Sequence, residues 1–524
     1  MALPQWTDAQ VYQQLNSGQT WSNPVITYTF PQLASQIHSS MFNGEGAGFT
    51  PLTASQQSLI HLGMAIWNDL IPSSIVPGAI GRSSIEFSNS TTGVEYAHAY
   101  YPNNGGVWFD ADNEDLQYAS VGSYGFDTFL HEIGHALGLE HMGDYNGNDD
   151  DGPSSYQDSM VLSIMSYYGP GIGRGKGLVA WGDWIGTDGN GYSPQTPMLN
   201  DVMAIQGMYG AAVTRADDTV YGFGSTARGD TALIYDFTVN LNPILTIYDS
   251  DGTDTLNFSG WGSDSDVDLR DGFYSSVNGM TNNIAIARGV TLENVITGAG
   301  DDSLHGNAAD NILDGGAGQD AVYYDGRFDH YQIRYDLESR AYTVHDTTGA
   351  DGTDTLLNIE RAGFMDQGGD LNDLTPGVHR FFNADLGVHF FTASNDEATS
   401  VLDLAGFQYE GVAFGRSVDD PRGDPASAKG LVDVYRFFNA SNGDHFLTAD
   451  ATEAAGLRAQ GILLDEGTAF SAYGAQSQGT MALHRFYNQD NGAHFYTADA
   501  DEMLAVSQID SFLYEGVAFY VAAA

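Results

Sequence analysis

Three nine-residue units follow one another without a gap in this chain. Thr297–His305 reads TGAGDDSLH, Gly306–Asp314 reads GNAADNILD and Gly315–Tyr323 reads GGAGQDAVY. Each unit has Asp or Asn in the sixth place (Asp302, Asn311, Asp320) and an apolar residue in the eighth (Leu304, Leu313, Val322). Such self-similarity marks stacked units, none of which buries its apolar residue alone. The eighth residues should point into a thin core. Glycine turns reach positive φ and bare carbonyl oxygens, and the sixth-place side chains add more oxygen. Oxygen-only ligands in a flexible turn suit calcium. The candidate ligands are Gly298, Gly300 and Asp302, then Asn307, Ala309 and Asn311, then Gly316, Gly318 and Asp320. A solvated acidic loop is the bland alternative, and three copies in register count against it.

The acidity extends over the whole chain. Asp+Glu number 68 against 18 Lys+Arg, a formal charge of -50. Phosphate contacts need cationic side chains, so nucleic acid is excluded as a partner, and an anionic membrane surface with it. No run of about 18 apolar residues is present, so no membrane-spanning helix is expected. There are 0 Cys, which excludes disulfide and thiol chemistry. The opening MALPQWTDAQ has no basic segment leading into an apolar stretch, so no secretory signal peptide is expected there.

The 524 residues divide by texture into about three domains, as length alone suggests at roughly 150 residues each. Residues 1–212 read as mixed α/β. Strands are expected at 25–30, 84–88, 94–101 and 105–109, and helices at 53–70, 127–139 and 198–209. The second of these regions, 213–375, holds the nonapeptides, and its residues 213–365 are rich in Gly, Asp, Asn and Thr. Residues 376–524 carry a longer repeat. HRFFNADLGVHFFTAS (379–394) returns as YRFFNASNGDHFLTAD (435–450) and HRFYNQDNGAHFYTAD (484–499). Each copy runs through an Ala-rich helical stretch to EGVAF or EGTAF. Three copies of hairpin, helix and strand predict a closed pseudo-threefold module.

Residues 131–141 read HEIGHALGLEH. His131 and His135 share one helix face and can hold one metal. Gly138 lets the helix stop sharply, so that His141 can return as a third ligand. Three His leave one position open for water, as a catalytic zinc requires. Glu132 can take that water's proton. Chance histidines would not bring three His, one Glu and one Gly into register.

HExxHxxGxxH followed by SIMSYY (163–168) resembles the metzincin zinc endopeptidases. The resemblance extends to serralysins through HEIGHALGL (131–139), GDYN (143–146) and TVYGF (219–223). Met142 stands where serralysins usually have Pro. The resemblance implies that Met165 packs beneath the zinc ligands and that Tyr167 supports the oxyanion, with Tyr168 its rival. It also implies substrate aligned on an edge strand, a place that Gly105–Phe109 takes by order in the chain unless it is an ordinary sheet edge.

The nonapeptides resemble the RTX parallel β-roll, and further segments match serralysin calcium sites. These are RADDT (Arg215, Asp217, Thr219), DSDGTD (Asp249, Asp251, Gly252, Asp254) and TLE (Thr291, Glu293). Residues 324–365 resemble a β-hairpin extension. The acidic loop 144–158 is either a further calcium site or solvated. Without calcium the carboxylates repel and the roll should stay unfolded.

The expected fold is thus an α+β metzincin catalytic domain, an all-β parallel β-roll and a pseudo-threefold hairpin-helix-strand repeat domain. The implied function is a secreted, extracellular and monomeric endopeptidase acting on protein substrates. One catalytic Zn2+ and several structural Ca2+ go with it, and export by type I secretion machinery. An RTX adhesin or matrix-binding protein with a vestigial metal site is the alternative. In the C-terminal copies, Arg380, Arg436 and Arg485 and His389, His445 and His494 either converge on a site, for instance for a carbohydrate or cell-surface ligand, or form the core of their hairpins.

Overall fold

A computed structural model describes residues 3–38, 42–145, 152–171, 179–416 and 430–523. The chain divides into two compact units, Met1–Asp320 and Ala321–Ala524. Among the described residues no helix is long and apolar enough to cross a membrane.

The first unit opens with α1 (Asp8–Leu15), β1 (Val25–Thr29), β2 (Phe49–Thr50), α2 (Ala54–Asn68), β3 (Ser74–Pro77), β4 (Ile85–Ser90), β5 (Ala97–Ala99) and β6 (Gly106–Asp110). It continues with α3 (Glu114–Gln117), α4 (Tyr124–Leu137) and α5 (Leu199–Tyr209). Helix α2 begins where its capping box demands. Thr53 accepts from the Gln56 amide, and the Gln56 side chain reaches back to the Thr53 backbone. The same device, Thr7 with Gln10, starts α1, which the sequence reading did not expect. Helix α4 starts at Tyr124, capped by Ser123, and ends at Leu137 before Gly138.

The sheet runs β3-β1-β4-β6-β5, with β2 paired to β4. Strands β1, β3, β4 and β6 are parallel neighbours, and β5 is antiparallel to β6. This corrects the expectation for Gly105–Phe109. Strand β6 is paired on both sides, and among the described residues the antiparallel edge of the sheet is β5. Phe87, Val107 and Phe109 are fully buried from the strands, as are Phe126, Phe129, Leu130 and Ile133 from α4.

Beyond α5 the backbone becomes a series of three-residue strands. Val220–Gly222, Thr255–Asn257, Asn294–Ile296 and Ile312–Asp314 form one parallel ladder. Its central residues Tyr221, Leu256, Val295 and Leu313 are all buried. Asp266–Asp268 pairs in parallel with Ser303–His305 through Val267 and Leu304. The eighth-place Leu304, Leu313 and Val322 are all buried, as the nonapeptide pattern predicts.

In the second unit, Tyr331–Asp336, Ala341–Asp346 and Thr353–Leu357 form an antiparallel meander. Three successive hairpins follow. Each leads to a short helix and then to a long strand that pairs back on the first strand of its own hairpin.

Candidate metal centres

Helix α4 carries His131, Glu132 and His135 on one buried stretch. It stops at Gly138, whose φ is +109°. A Cβ there would lie 2.1 Å from the Gln19 carbonyl oxygen, so only glycine fits. The chain then turns back and brings His141 against His135.

Each imidazole is held through Nδ1 by a backbone carbonyl. His131 donates to Ile164 (2.7 Å), His135 to Leu139 (2.7 Å) and His141 to Tyr145 (3.0 Å). A carbonyl only accepts, so Nδ1 bears the proton and Nε2 the lone pair. The Nε2 atom of His135 lies 3.1 Å from that of His131 and 3.0 Å from that of His141. Burial holds His131 down to about 4 and His141 down to about 3, and it also lowers His135, so the rings are neutral. Three neutral lone pairs this close repel unless a cation lies between them. Zinc–nitrogen bonds of about 2.0–2.1 Å in tetrahedral geometry place nitrogens about 3.3 Å apart, so the residues fit a zinc ion. Among the described residues, no other group of three His, Cys, Asp or Glu converges in this way.

Glu132 is buried beside this cluster, and its Oε2 has no hydrogen-bond partner. Burial pushes its carboxyl up to about 8. An orphaned buried carboxylate oxygen is costly unless function requires it. Met165 is fully buried, and its sulfur packs under Gly134, where a Cβ would meet it at 2.8 Å. The Tyr167 ring centroid lies 4.6 Å from that of His141 and 6.0 Å from that of His131, and the side chain is partly exposed. Tyr168 is buried, with its carbonyl accepting from the Met160 amide, so of the two tyrosines it is Tyr167 that faces the cluster.

Two residues that sequence reasoning missed hold this arrangement. Asp201 of α5 is fully buried and accepts from Ser163 Oγ (2.5 Å), the Ile164 amide (2.8 Å) and the Met198 amide (2.9 Å). It thereby fixes the turn whose Ile164 carbonyl orients His131. Asp158 accepts from the Tyr145 and Ser166 hydroxyls (both 2.7 Å) and from the Ser154 amide. Tyr145 Oη in turn accepts from the Tyr167 amide at 3.1 Å. Of the acidic loop, residues 146–151 lie outside those described.

The expected calcium residues fall into rows. In one, Asp254 Oδ1 accepts from the Thr219 amide (2.8 Å), and Glu293 Oε2 accepts from the Asp254 amide (2.7 Å). A Cβ on Gly252 would stand 3.1 Å from the Asp217 carbonyl oxygen. Burial, with Asp249, Glu293 and Asp218 nearby, pushes Asp254 up to about 7. Such crowding of carboxylates fits a cation among them. Asp249 accepts from the amides of Ser250 and Asp251 and from Tyr221 Oη. The Arg215 side chain pairs with Asp69 at 2.5 Å and leaves only its main chain for the row. Thr291 is exposed.

In a second row, a Cβ on Gly316 would lie 2.2 Å from the Gly298 carbonyl oxygen, and one on Gly318 would lie 2.0 Å from that of Gly300. The Asp302 amide donates to Asp320 Oδ1 (2.8 Å), while Asp302 Oδ2 is buried without a partner. These residues also fit a cation. Asn307 and Asn311 are arranged differently, with side-chain amide nitrogens directed at the Leu292 and Glu293 carbonyls, and the Ala309 amide donates to Asn307 Oδ1.

Comparison with known proteins matches successive stretches of the chain. The Matrixin model matches residues 82–147, and the Peptidase M10 serralysin C terminal model matches 211–366. A Domain of unknown function (DUF5648) matches 357–425 and 377–522. Serralysin C of Dickeya chrysanthemi is 38% identical over 298 residues, 53% of this chain and 58% of that protein. Serralysin of Photorhabdus laumondii is 37% identical over 285 residues, 51% of this chain and 56% of that protein. Serralysin G of Dickeya chrysanthemi is 33% identical over 339 residues, 59% of this chain and 67% of that protein. The chain belongs to the serralysin-type metzincins. It spans little more than half the length of the first two relatives.

Beyond the serralysin-type segment, the recurrent Arg and His of the last 150 or so residues hold their own units together. Arg380 pairs with Glu410 and Glu502, Arg436 with Glu466 and Glu397, and Arg485 with Glu515 and Glu453. Each Arg thus joins its own long strand to the helix of another copy. His389, His445 and His494 pack edge-on against Phe495, Phe390 and Phe446 of other copies.

Asp201→Asn keeps the shape but replaces one accepting oxygen by a donating amide nitrogen that faces other donors. The Ile164 carbonyl should then hold His131 less well. Zinc affinity, read by competition with a chromogenic chelator, is expected to fall about 10–100-fold. An unchanged affinity in a folded variant would contradict the role given to Asp201.

Proposed function

We propose that the chain is a secreted zinc endopeptidase acting on protein substrates. The observation that carries this reading is the convergence of three neutral Nε2 atoms beside the orphaned oxygen of Glu132. A zinc ion held by His131, His135 and His141 would supply Lewis acidity toward a water molecule and the scissile carbonyl. Glu132 then accepts the water proton at Oε2 and passes it to the departing amine, as its raised proton affinity favours. The Tyr167 hydroxyl donates to the oxyanion. The edge of β5 aligns an extended peptide through main-chain groups, which accounts for broad sequence preference. The intact cluster gives the adhesin alternative no support.

The three-domain division at 212/213 and 375/376 is part of the same proposal. Residues 213–375 act as a calcium-stabilised roll, folding outside the cell after export by type I secretion machinery. The carboxylate rows around Asp254 and Asp302 support this. The cyclic Arg–Glu pairing of the C-terminal copies supports a closed pseudo-threefold module. Those arginines pair with glutamates and those histidines pack against phenylalanines, so they favour no carbohydrate site.

Glu132→Ala should retain zinc, because Glu132 is no ligand, yet lose about 10²–10⁴-fold or more in casein hydrolysis. Near wild-type turnover at full zinc occupancy would refute the assignment. Tyr167→Phe is expected to lower kcat more than it raises KM, because its hydroxyl acts in the transition state. An effect on KM alone would make Tyr167 a substrate-binding residue.

Withdrawing calcium while zinc is kept should expose residues 213–365 to limited proteolysis and reduce β-type circular dichroism. Millimolar calcium should restore both, since extracellular modules bind at about 10⁻⁴–10⁻³ M. Equal protease resistance without calcium would contradict the calcium-stabilised roll.

A further inference from the structure

The middle nonapeptide turn is built unlike its neighbours. The contrast rests on the calcium reading of the carboxylate rows. In the flanking units the sixth residue is a carboxylate. Asp302 bonds to Asp320, 18 residues on, and keeps one buried oxygen that no donor reaches. In the middle unit that place belongs to Asn311. Its Nδ2 donates to the Glu293 carbonyl, 18 residues back, at 2.9 Å, and to Asn307 Oδ1 at 3.0 Å. Its Oδ1 accepts from the Asn307 amide at 2.8 Å. Asn307 repeats the pattern. Its Nδ2 donates to the carbonyls of Leu292 (2.8 Å) and Leu269 (3.1 Å), and its Oδ1 accepts from the Ala309 amide (2.9 Å).

The backbone fixes both amide orientations. The carbonyls of Glu293, Leu292 and Leu269 can only accept, and the amides of Asn307 and Ala309 can only donate. Rotating either carboxamide by half a turn would set oxygen against oxygen. A cation near these carbonyls would need oxygen ligands where the two nitrogens stand. The sequence 18 residues ahead of this turn offers no second half-site. Asp325, Arg327 and Asp329 stand there in place of a Gly-rich turn, and Arg327 already pairs with Asp366 at 2.8 Å.

We propose that the Asn307–Asn311 turn takes no calcium, and that its two side-chain amides do the bridging that a cation does in the carboxylate rows. On this reading the sequence expectation for Asn307, Ala309 and Asn311 does not hold. The turn is a calcium-independent step in a calcium-dependent stack.

The test uses the full zinc-loaded chain in saturating calcium. Bound calcium is counted by native mass spectrometry, and unfolding is followed by heating. Asn311→Ala and Asn311→Asp should bind as many calcium ions as wild type. Both should unfold at lower temperature, by about 2–8 °C, since the donor to Glu293 is lost. Asp302→Asn should lose an ion. The inference is overturned if Asn311→Ala loses an ion against a calcium-loaded wild type. It is equally overturned if Asn311→Asp folds at lower calcium than wild type, because a carboxylate strengthens a true ligand position. A wild type that binds no calcium at all fails the broader calcium reading, and the contrast falls with it.

Discussion

Three hydrogen bonds from imidazole Nδ1 atoms to backbone carbonyls determine what the first unit can do. They set the tautomer of His131, His135 and His141 and aim three Nε2 lone pairs at one another. The carbonyls come from three separate pieces of backbone, each with its own anchor. Ile164 is held by Asp201 on α5. Leu139 follows Gly138, whose positive φ and closeness to the Gln19 carbonyl admit only glycine. Tyr145 is tied by Asp158, which also holds Ser166 beside Met165. Helix, sheet and loops are thus coupled to one ligand geometry, as outer-shell partners of metal ligands generally are.

The same chain handles negative charge in two ways. Residues 289–320 contain no Lys or Arg, so on the proposed calcium reading their buried acids are neutralised by a bound cation or by amides. The C-terminal copies carry their own cations, the recurrent Arg of each being placed between two Glu. Such pairs, partly screened by solvent, specify which copies meet more than they add stability. The Asn307–Asn311 turn stands between these solutions, with neutral donors in place of either kind of cation.

The chemistry of the site was legible in the sequence where it depends on spacing along the chain. His131 and His135 four apart, Gly138 and the nine-residue period each translate directly into geometry. What depends on order across a sheet was not legible. Chain order put Gly105–Phe109 at the edge, but β5 folds back antiparallel outside β6 and takes that place. Asp201 was missed because an acid in a helix looks solvated until three donors converge on it. Helix α1 could have been found, since Thr7 and Gln10 form the same box that announced α2. Asn311 reads as a calcium ligand by position, while in the structure its nitrogen donates to the Glu293 carbonyl.

The central claim is that one zinc ion at His131, His135 and His141 makes this chain a peptidase. Zinc added stepwise to metal-free protein in saturating calcium, with hydrolysis of an unstructured protein substrate followed at each step, tests it directly. The account predicts activity that rises in proportion to zinc and saturates at one ion per chain. Hydrolysis that is already present without metal, or that stays absent at full zinc occupancy, would contradict it.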